Sequence, residues 1–164
     1  MIDVSTILTF MHATAAEQNA AHAVKATEVD LLNTLDFGDA YDGAQRSRAA
    51  LGKVLVVVAP EGSIAGMAIY FFTYAAWVAK LGVCLEDLFV LPEYRRRGYA
   101  RILVQAVAKQ AESSGAVRME WLCYKENHRA LMFYTSLGAK EMDNLTFLRL
   151  DKEGLAGLAD AKLR

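Results

Sequence analysis

The sequence predicts a mixed α/β fold, in which a mainly antiparallel, twisted sheet carries a βαβ unit and flanking helices. Short β-branched runs at residues 53–59, 64–73 and 83–91 are separated by turn residues, as in neighbouring antiparallel strands. An amphipathic helical pattern after Gly98 lies between the third run and an alternating segment at 117–124, which gives the order strand, helix, strand. The length of 164 residues fits one domain spanning residues 1–164.

Two helices are predicted at the N-terminal end. Ile7, Leu8 and Met11 have helical spacing and predict a helix over residues 4–18. The sequence TEVD at 27–30 opens a second helix that ends near Gly38. The polar stretch 36–52 is typical of a loop, with a turn of helix as an option at 44–50.

The sheet is predicted from three runs. Residues 53–59 and 64–73 form a hairpin, because the intervening PEGS sequence at 60–63 supplies a turn. The third run, 83–91, ends at Pro92, since proline cannot donate a hydrogen bond to a neighbouring strand.

The second half continues with helix and strand patterns. An apolar stripe that includes Leu103 and Val107 predicts a helix that the residues 113–115 end. The alternation at 117–124 predicts a strand, and Asn127 caps a helix closed by Gly138. The tail at 141–150 is expected to form a final strand or hairpin.

Composition excludes several function classes. The chain has 18 Lys and Arg against 19 Asp and Glu, so we expect no general attraction to nucleic acid or to anionic membranes. Cys84 and Cys123 lack metal-ligand spacing and fit a reducing compartment, and the three histidines predict no metal site. Neither a signal sequence nor a membrane-spanning run is present, so a cytoplasmic protein is expected.

The stretch EYRRRGYARILV at 93–104 predicts a phosphate-binding site. It lies where a strand ends and a helix begins, so unpaired N–H groups and the positive end of the helix dipole meet there. Gly98 lets a bulky anion approach the backbone, Ala100 keeps the first turn narrow, and the arginines add positive charge.

The spacing Arg95-x-x-Gly98-x-Ala100 resembles the pyrophosphate-binding motif of the GNAT superfamily of N-acetyltransferases. LEDLFVLPEY at 85–94 and NHRALMFYTSLGA at 127–139 resemble its flanking motifs. FFTYAAW at 71–77, followed by LEDLFV, is similar to the diamine (spermidine/spermine-type) and thialysine N-acetyltransferase group. The resemblance implies a GNAT-type fold and acetyl transfer from acetyl-CoA to a primary amine of a small molecule, a diamine, polyamine or lysine-like compound, in a ternary complex.

The resemblance also implies a set of residues that bind acetyl-CoA. The backbone of the third strand splays from its neighbour, pairs with pantetheine and polarises the acetyl carbonyl. The amide of Asn127 bonds pantetheine, and the Tyr134 hydroxyl protonates the leaving thiolate. The implied cofactor-binding residues are Leu88, Phe89, Val90, Arg95, Arg96, Arg97, Gly98, Tyr99, Ala100, Arg101, Asn127 and Tyr134.

Acetyl transfer requires a neutral amine, yet an amine with a pKa near 10.4 is only about 0.04% neutral at pH 7. Glu86 is the candidate base, directly or through water. Strand alternation sends Glu86 and Asp87 to opposite faces, and an ion pair with a nearby cation is the alternative role for either. Core packing is the alternative for Tyr134 and Trp77. The predicted substrate-binding residues are Gln18, Trp77, Glu86 and Asp87.

The chain departs from the polyamine acetyltransferases at two expected ammonium anchors. Ala75 replaces an Asp of these enzymes, and their Tyr-Glu pair appears as Glu17-Gln18. Without carboxylates, burying several ammonium groups is costly, which favours a smaller amine over spermidine or spermine. Related sequences have a strand before the first helix that we expect to be missing here, and a homodimer covering the open sheet edge is expected.

Other functions fit the same patterns. A protein or peptide N-acetyltransferase is the nearest alternative, and a catalytically silent acyl-CoA-binding regulator would keep the fold without the chemistry. A nucleic-acid-binding module would use the arginines as a basic face, but no docking motif or array of stacking aromatics accompanies them. Nucleotide-phosphate enzymes would need a GxxxxGK[ST] or GxGxxG sequence, and neither is present.

Overall fold

The structure is a computed structural model that describes residues 4–38 and 50–161. The chain divides into two units, Met1–Tyr124 and Lys125–Arg164. All described strands belong to the first unit, and two helices belong to the second. The single domain expected from chain length stays a prediction.

Two helices precede the sheet. Helix α1, Val4–Glu17, confirms the first predicted helix. Helix α2, Glu28–Thr34, begins as predicted: the Thr27 hydroxyl accepts from the Asp30 N–H, and the Asp30 carboxylate accepts from the Thr27 N–H at 2.8 Å. This helix ends earlier than Gly38, because the next two residues form a strand. The option of a helical turn at 44–50 falls almost entirely outside the described residues.

The sheet is mixed and mainly antiparallel, as predicted. Its described strands lie in sequence order, and the two long pairings, β2 with β3 and β3 with β4, are antiparallel. The two short pairings at the edges, β1 with β2 and β4 with β5, are parallel. The strands are β1 Leu35–Asp36, β2 Gly52–Val58, β3 Ile64–Ala75, β4 Lys80–Val90 and β5 Met119–Glu120.

The hairpin of β2 and β3 confirms the prediction, with the turn at the expected place. Strand β4 begins three residues before the predicted start. A 3₁₀ turn at Ala76–Val78 and a left-handed Ala79, with φ +50°, reverse the chain tightly, so pairing extends to Ala75 and Lys80. Strands β3 and β4 therefore form one long hairpin.

The predicted βαβ unit is present. Helix α3, Tyr99–Ser113, joins the parallel strands β4 and β5 and buries Leu103, Val104 and Val107 against the sheet. The prediction of a strand through residue 124 was wrong, since β5 covers only Met119 and Glu120. These two residues pair with Val83 and Cys84, just before β4 bulges, and a bulge bends the strand that carries it.

The main core lies between the first helix and the sheet. Helix α1 supplies the fully buried Ile7 and the nearly buried Phe10, and the Phe10 ring lies 5.2 Å from that of Phe89 in β4. Other side chains of this cluster come from Leu31, Phe37, Val54, Met67 and Ile69. This packing fixes α1 across the part of β4 that precedes the arginine-rich segment.

The second unit contains helix α4, His128–Ser136, which begins as predicted, because the Asn127 side chain accepts from the Ala130 N–H at 3.1 Å. The strand or hairpin expected at 141–150 was wrong: these residues are exposed and irregular, and the described residues of this unit contain no strand for them to pair with. Helix α5, Lys152–Ala159, was not predicted and starts where the Asp151 carboxylate accepts from the Gly154 N–H at 2.8 Å.

Candidate functional site

Residues 95–98, called here the arginine loop, connect the end of β4 to the start of α3. Arg96 and Gly98 both have left-handed backbone, with φ of +65° and +87°. Gly98 is the N-cap of α3 and provides no side-chain cap, so the first N–H groups of the helix remain available. A Cβ atom added at Gly98 would meet nothing within 4 Å. The loop therefore offers uncapped N–H groups beside open space, which suits an anion.

Two of the loop arginines face solvent. Arg96 and Arg97 are exposed, and the Arg97 guanidinium lies 5.3 Å from the centre of the Tyr94 ring. The Tyr94 hydroxyl donates to the Glu61 carboxylate at 2.6 Å, which holds the pKa of that carboxyl below its ordinary value. Tyr94 thus connects Arg97 of the loop to Glu61 in the turn between β2 and β3. The sequence patterns did not predict Glu61, because nothing local marks its partner.

Arg95 is turned toward the protein instead. Its Nε donates to the Val90 carbonyl at 2.8 Å, and its Nη2 forms an ion pair with Glu17 at the end of α1. The guanidinium also lies 5.7 Å from the centre of the Phe89 ring. Among the arginines of the loop, this one is engaged with both α1 and β4.

A bulge in β4 separates the two predicted acidic residues. Asp87 pairs with Ile69 and Leu85 pairs with Tyr70, so Glu86 is left without a partner in β3. Glu86 is exposed. Asp87 is partly buried beside Thr14 of α1, and this burial raises its pKa to about 6, although hydrogen bonds to Thr14 and the Leu88 backbone lower it. The two carboxylates thus meet different surroundings.

Cys84 lies close to the exposed carboxylate, with its Sγ 3.9 Å from Glu86 Oε2. Burial, followed by the charges of Glu86 and Glu120, raises the pKa of the Cys84 thiol. A raised pKa keeps the thiol protonated at neutral pH, so Cys84 lacks the thiolate character that a nucleophile needs.

The same strand has an open side. Strand β5 pairs with β4 only at Val83 and Cys84. Beyond these residues, none of the strands in the described ranges 4–38 and 50–161 lies on that side of β4. The backbone at the predicted residues Leu88, Phe89 and Val90 therefore lies along this unpaired edge, which leads directly into the arginine loop.

The residues predicted to bind the amine are not gathered in one place. Gln18 is exposed and follows Glu17, which contacts the arginine loop. Trp77 is fully exposed in the turn that precedes β4, at the other end of that strand. The eleven residues of β4 extend over about 35 Å, so one small amine cannot touch both side chains of the same chain. Ala75 is buried, with 1% of its surface exposed.

Asn127 and Tyr134 belong to the second unit, both on or next to α4. They are seven residues apart, which corresponds to about 10 Å along a helix. The Asn127 oxygen is used in capping, so its amide N–H group is the part left for a ligand. Tyr134 packs against Phe133, with ring centres 5.3 Å apart.

The described residues contain neither a metal-binding cluster nor a membrane-spanning helix. In residues 4–38 and 50–161, no group of three or more His, Cys, Asp or Glu side chains lies close enough to hold a metal ion. None of the helices in this part of the chain is both long and apolar enough to cross a membrane.

The known proteins that this chain resembles include acetyltransferases. L-ornithine N5-acetyltransferase NATA1 of Arabidopsis thaliana is 36% identical over 58% of this chain and 42% of its own length. A thialysine N-epsilon-acetyltransferase of Caenorhabditis elegans is 36% identical over 44% of this chain and 45% of its own length. The chain therefore spans about half the length of these relatives.

A solved structure confirms the fold. An integron cassette protein from the mobile metagenome of V. cholerae superimposes with a TM-score of 0.69 at 24% identity, over 98% of this chain and 95% of the other. The sequence profile of the acetyltransferase (GNAT) family matches residues 14–139, which include the last turn of α1, the sheet, the arginine loop and α4. The chain belongs to the acetyltransferase (GNAT) family.

Proposed function

We propose that this protein transfers an acetyl group from acetyl-CoA to a primary amine of a small molecule. The observation that carries the proposal is the uncapped N-terminus of α3 at Gly98, which continues from the open edge of β4 and from the exposed carboxylate at its bulge. An anion site, a free strand edge and a base thus lie along one continuous segment. Membership of the family supports this assignment.

Acetyl-CoA binding is assigned to the loop and the strand edge. The backbone N–H groups at Gly98, Tyr99 and Ala100 donate to pyrophosphate oxygens, and the exposed guanidinium groups of Arg96, Arg97 and Arg101 neutralise its charge. Leu88, Phe89 and Val90 lie along the open edge of β4. Apart from the Val90 carbonyl, which already accepts from Arg95, this edge can pair with the amides of the pantetheine arm in the manner of an added strand. The family resemblance assigns Asn127 a bond to pantetheine, for which its amide N–H is the group left after capping.

The reaction is direct attack within a ternary complex. Glu86 accepts a proton from the ammonium group, the neutral nitrogen attacks the thioester carbonyl carbon, and backbone N–H groups of β4 stabilise the resulting oxyanion. Collapse of the tetrahedral intermediate breaks the carbon–sulfur bond, and the departing thiolate takes the proton of the Tyr134 hydroxyl, the role that the family resemblance assigns to this residue. The nitrogen gives up its second proton to become the amide, and this proton restores the Tyr134 hydroxyl through water. Cys84 takes no part as an acyl carrier, since its raised pKa keeps it protonated.

The acceptor is proposed to be a small amine with one ammonium group at the site, such as an amino acid of the ornithine or thialysine type. The two relatives above are named for such acceptors. The positions of the two expected ammonium anchors offer no unpaired carboxylate. Ala75 is apolar and buried, Gln18 is neutral, and the carboxylate of Glu17 is paired with Arg95. Second and third ammonium groups of a polyamine would therefore lack partners at these positions.

Calorimetric titration with acetyl-CoA tests the proposal, comparing the natural protein with Gly98→Glu. The glutamate would place a bulky negative side chain in the open space beside the uncapped N–H groups and is expected to abolish binding. Gly115→Glu is the matched control, because Gly115 also has positive φ, at +76°, and open space, but follows the other end of α3. Folded natural protein that binds no acetyl-CoA would overturn the proposal.

The acceptor class is tested by thiol release with polyamines, ornithine, lysine analogues and aminoglycosides, beside lysine-containing peptides. Release with an amino acid and not with peptides supports the proposed class. Release with peptides alone identifies a protein N-acetyltransferase instead. Acetyl-CoA binding without thiol release from any of them identifies a regulator that binds the coenzyme.

A further inference from the structure

We infer that Glu17 is a positioning residue for the arginine loop and acts through Arg95, whose guanidinium holds the loop to the protein and does not contact the phosphates. The inference rests on the proposed function in one respect, since acetyl-CoA is the ligand that reports it. The sequence resemblance implies that Arg95 binds the coenzyme, whereas this inference makes Arg95 a residue that positions the loop.

The Arg95 guanidinium already has partners on two sides. The Val90 carbonyl accepts its Nε–H at 2.8 Å, and the Glu17 carboxylate pairs with its Nη2. A guanidinium is planar, so two bonds in different directions fix its orientation. Its charge is also balanced by a carboxylate within the same unit. Both side chains are partly exposed, at 24% for Arg95 and 39% for Glu17, so either can be replaced without opening a cavity in the core.

The contacts of Arg95 lead to α1 by two routes, directly through Glu17 and indirectly through Phe89 and Phe10. Its guanidinium lies over Phe89, the Phe89 ring packs on Phe10, and Phe10 precedes Glu17 by seven residues on the same helix. Seven residues are about two helical turns, so Phe10 and Glu17 lie on the same side of α1. Helix α1 therefore contacts the end of β4 through Phe10 and the start of the arginine loop through Glu17.

The ion pair with Glu17 holds the residue that immediately precedes an unfavourable backbone conformation. Arg95 has extended backbone, and the next residue, Arg96, has left-handed backbone that is unfavourable without glycine. Holding Arg95 fixes the direction in which the chain enters this turn, and so the direction of the N–H groups that follow.

The two possible roles of Arg95 predict changes of opposite sign. If Arg95 bound phosphate directly, Glu17 would compete for its charge, and Glu17→Gln would tighten acetyl-CoA binding. If Arg95 positions the loop, the same substitution weakens binding. Arg95→Lys also separates the roles, because lysine keeps a point charge for a phosphate but lacks the planar guanidinium that fixes the bonds to Val90 and Glu17 in two directions.

The experiment is calorimetric titration with acetyl-CoA of the natural protein, Glu17→Gln and Arg95→Lys. Both variants are expected to bind about three- to fivefold more weakly, the size expected for one partly exposed charged contact. In turnover assays, KM for acetyl-CoA should rise while kcat is kept. Glu93→Gln is the matched control, since it removes one exposed negative charge beside the loop, and its affinity should stay within about twofold.

Hydrogen exchange of the ligand-free proteins gives a second, independent measurement. Glu17→Gln should speed exchange of the backbone amides of the arginine loop, with the amides in the middle of β3 unchanged. Tighter binding by Glu17→Gln, or loop exchange equal to that of the natural protein, would overturn the inference. If the natural protein binds no acetyl-CoA, the proposed function fails, and the exchange rates still decide whether Glu17 holds the loop.

Discussion

Glu86 and Asp87 are consecutive residues of β4, yet the bulge leaves Glu86 exposed without a partner in β3, while Asp87 lies against α1 beside Thr14. The bulge adds one residue at the point where β5 no longer covers β4. One carboxylate is thus free to meet a substrate, and the other is held between a helix and the sheet. The two residues should respond differently to the same amide substitution.

Replacing Glu86 by glutamine should lower kcat by about 10²- to 10⁴-fold, which is the range for loss of a general base. The side chain is exposed and has the same shape, so acetyl-CoA affinity and the melting temperature should not change. Thiol release with the preferred amine gives kcat, and calorimetry gives the affinity. Glu120→Gln, another exposed carboxylate near Cys84, is the control, and equal turnover by both variants would contradict the role of Glu86.

Replacing Asp87 by asparagine should stabilise the protein at neutral pH. The folded-state pKa of Asp87 is raised to about 6 by burial, so the folded protein holds this proton more tightly than the unfolded chain. The resulting stabilisation is present below the unfolded pKa of about 4 and is lost as the pH rises through about 6.

Thermal unfolding at pH 4.5, 5.5, 6.5 and 7.5 would therefore show a melting-temperature advantage of Asp87→Asn that grows with pH. These settings bracket the expected transition from about pH 4 to about pH 6. Glu86→Gln, at the exposed neighbour, serves as the control. An advantage that does not depend on pH would show that the carboxyl charge is not the cause.

Replacing Gly66 by alanine should strongly destabilise the first unit. A Cβ atom there would overlap the Phe89 carbonyl oxygen and lie 3.1 Å from the Val90 Cα, so β3 and β4 would have to separate. We expect the free energy of unfolding to fall by about 2–4 kcal/mol, as for other strained packing changes. The closest contact at Gly52 is the end of the Leu35 side chain at 3.1 Å, so Gly52→Ala should cost less in urea unfolding.

Replacing Gln18 by glutamate should shift acceptor preference toward polyamines. The residue is exposed and follows Glu17 of the Glu17–Arg95 pair, and the resemblance to polyamine acetyltransferases implies a carboxylate at this position. A new exposed charge should raise kcat/KM for spermidine relative to ornithine by about two- to fivefold. Gln18→Ala is the control for loss of the amide. Ala75→Asp is a poor test, because a carboxylate at this buried position would destabilise the sheet.

Local patterns predicted most of the fold, and contacts between distant residues produced the differences. The hairpin of β2 and β3 and helix α3 follow from periodicity within a few residues, and both were found. The strand expected at 141–150 has apolar residues such as Leu145, Phe147 and Leu150, but a strand also needs a neighbour, which a local pattern does not provide. The early end of β5 has the same origin, since it depends on where β4 bulges.

The candidate site shows the same division. The position of Gly98 at the start of a helix was predictable from a short motif and the residues around it. The partner of Arg95 was not, because Glu17 lies 78 residues earlier and belongs to another element. The bulge that exposes Glu86 depends on pairing with β3, which strand alternation alone does not show.

The exposed Trp77 gives the protein an optical reporter. The chain has two tryptophans, and the indole of Trp77 is fully open to water in the turn before β4, whereas Trp121 is partly covered. An indole in water fluoresces at longer wavelength than a covered one and is readily quenched by dissolved iodide. In a Trp121→Phe background, any molecule or second subunit that covers this turn would shift the emission to the blue and reduce quenching, without an added label.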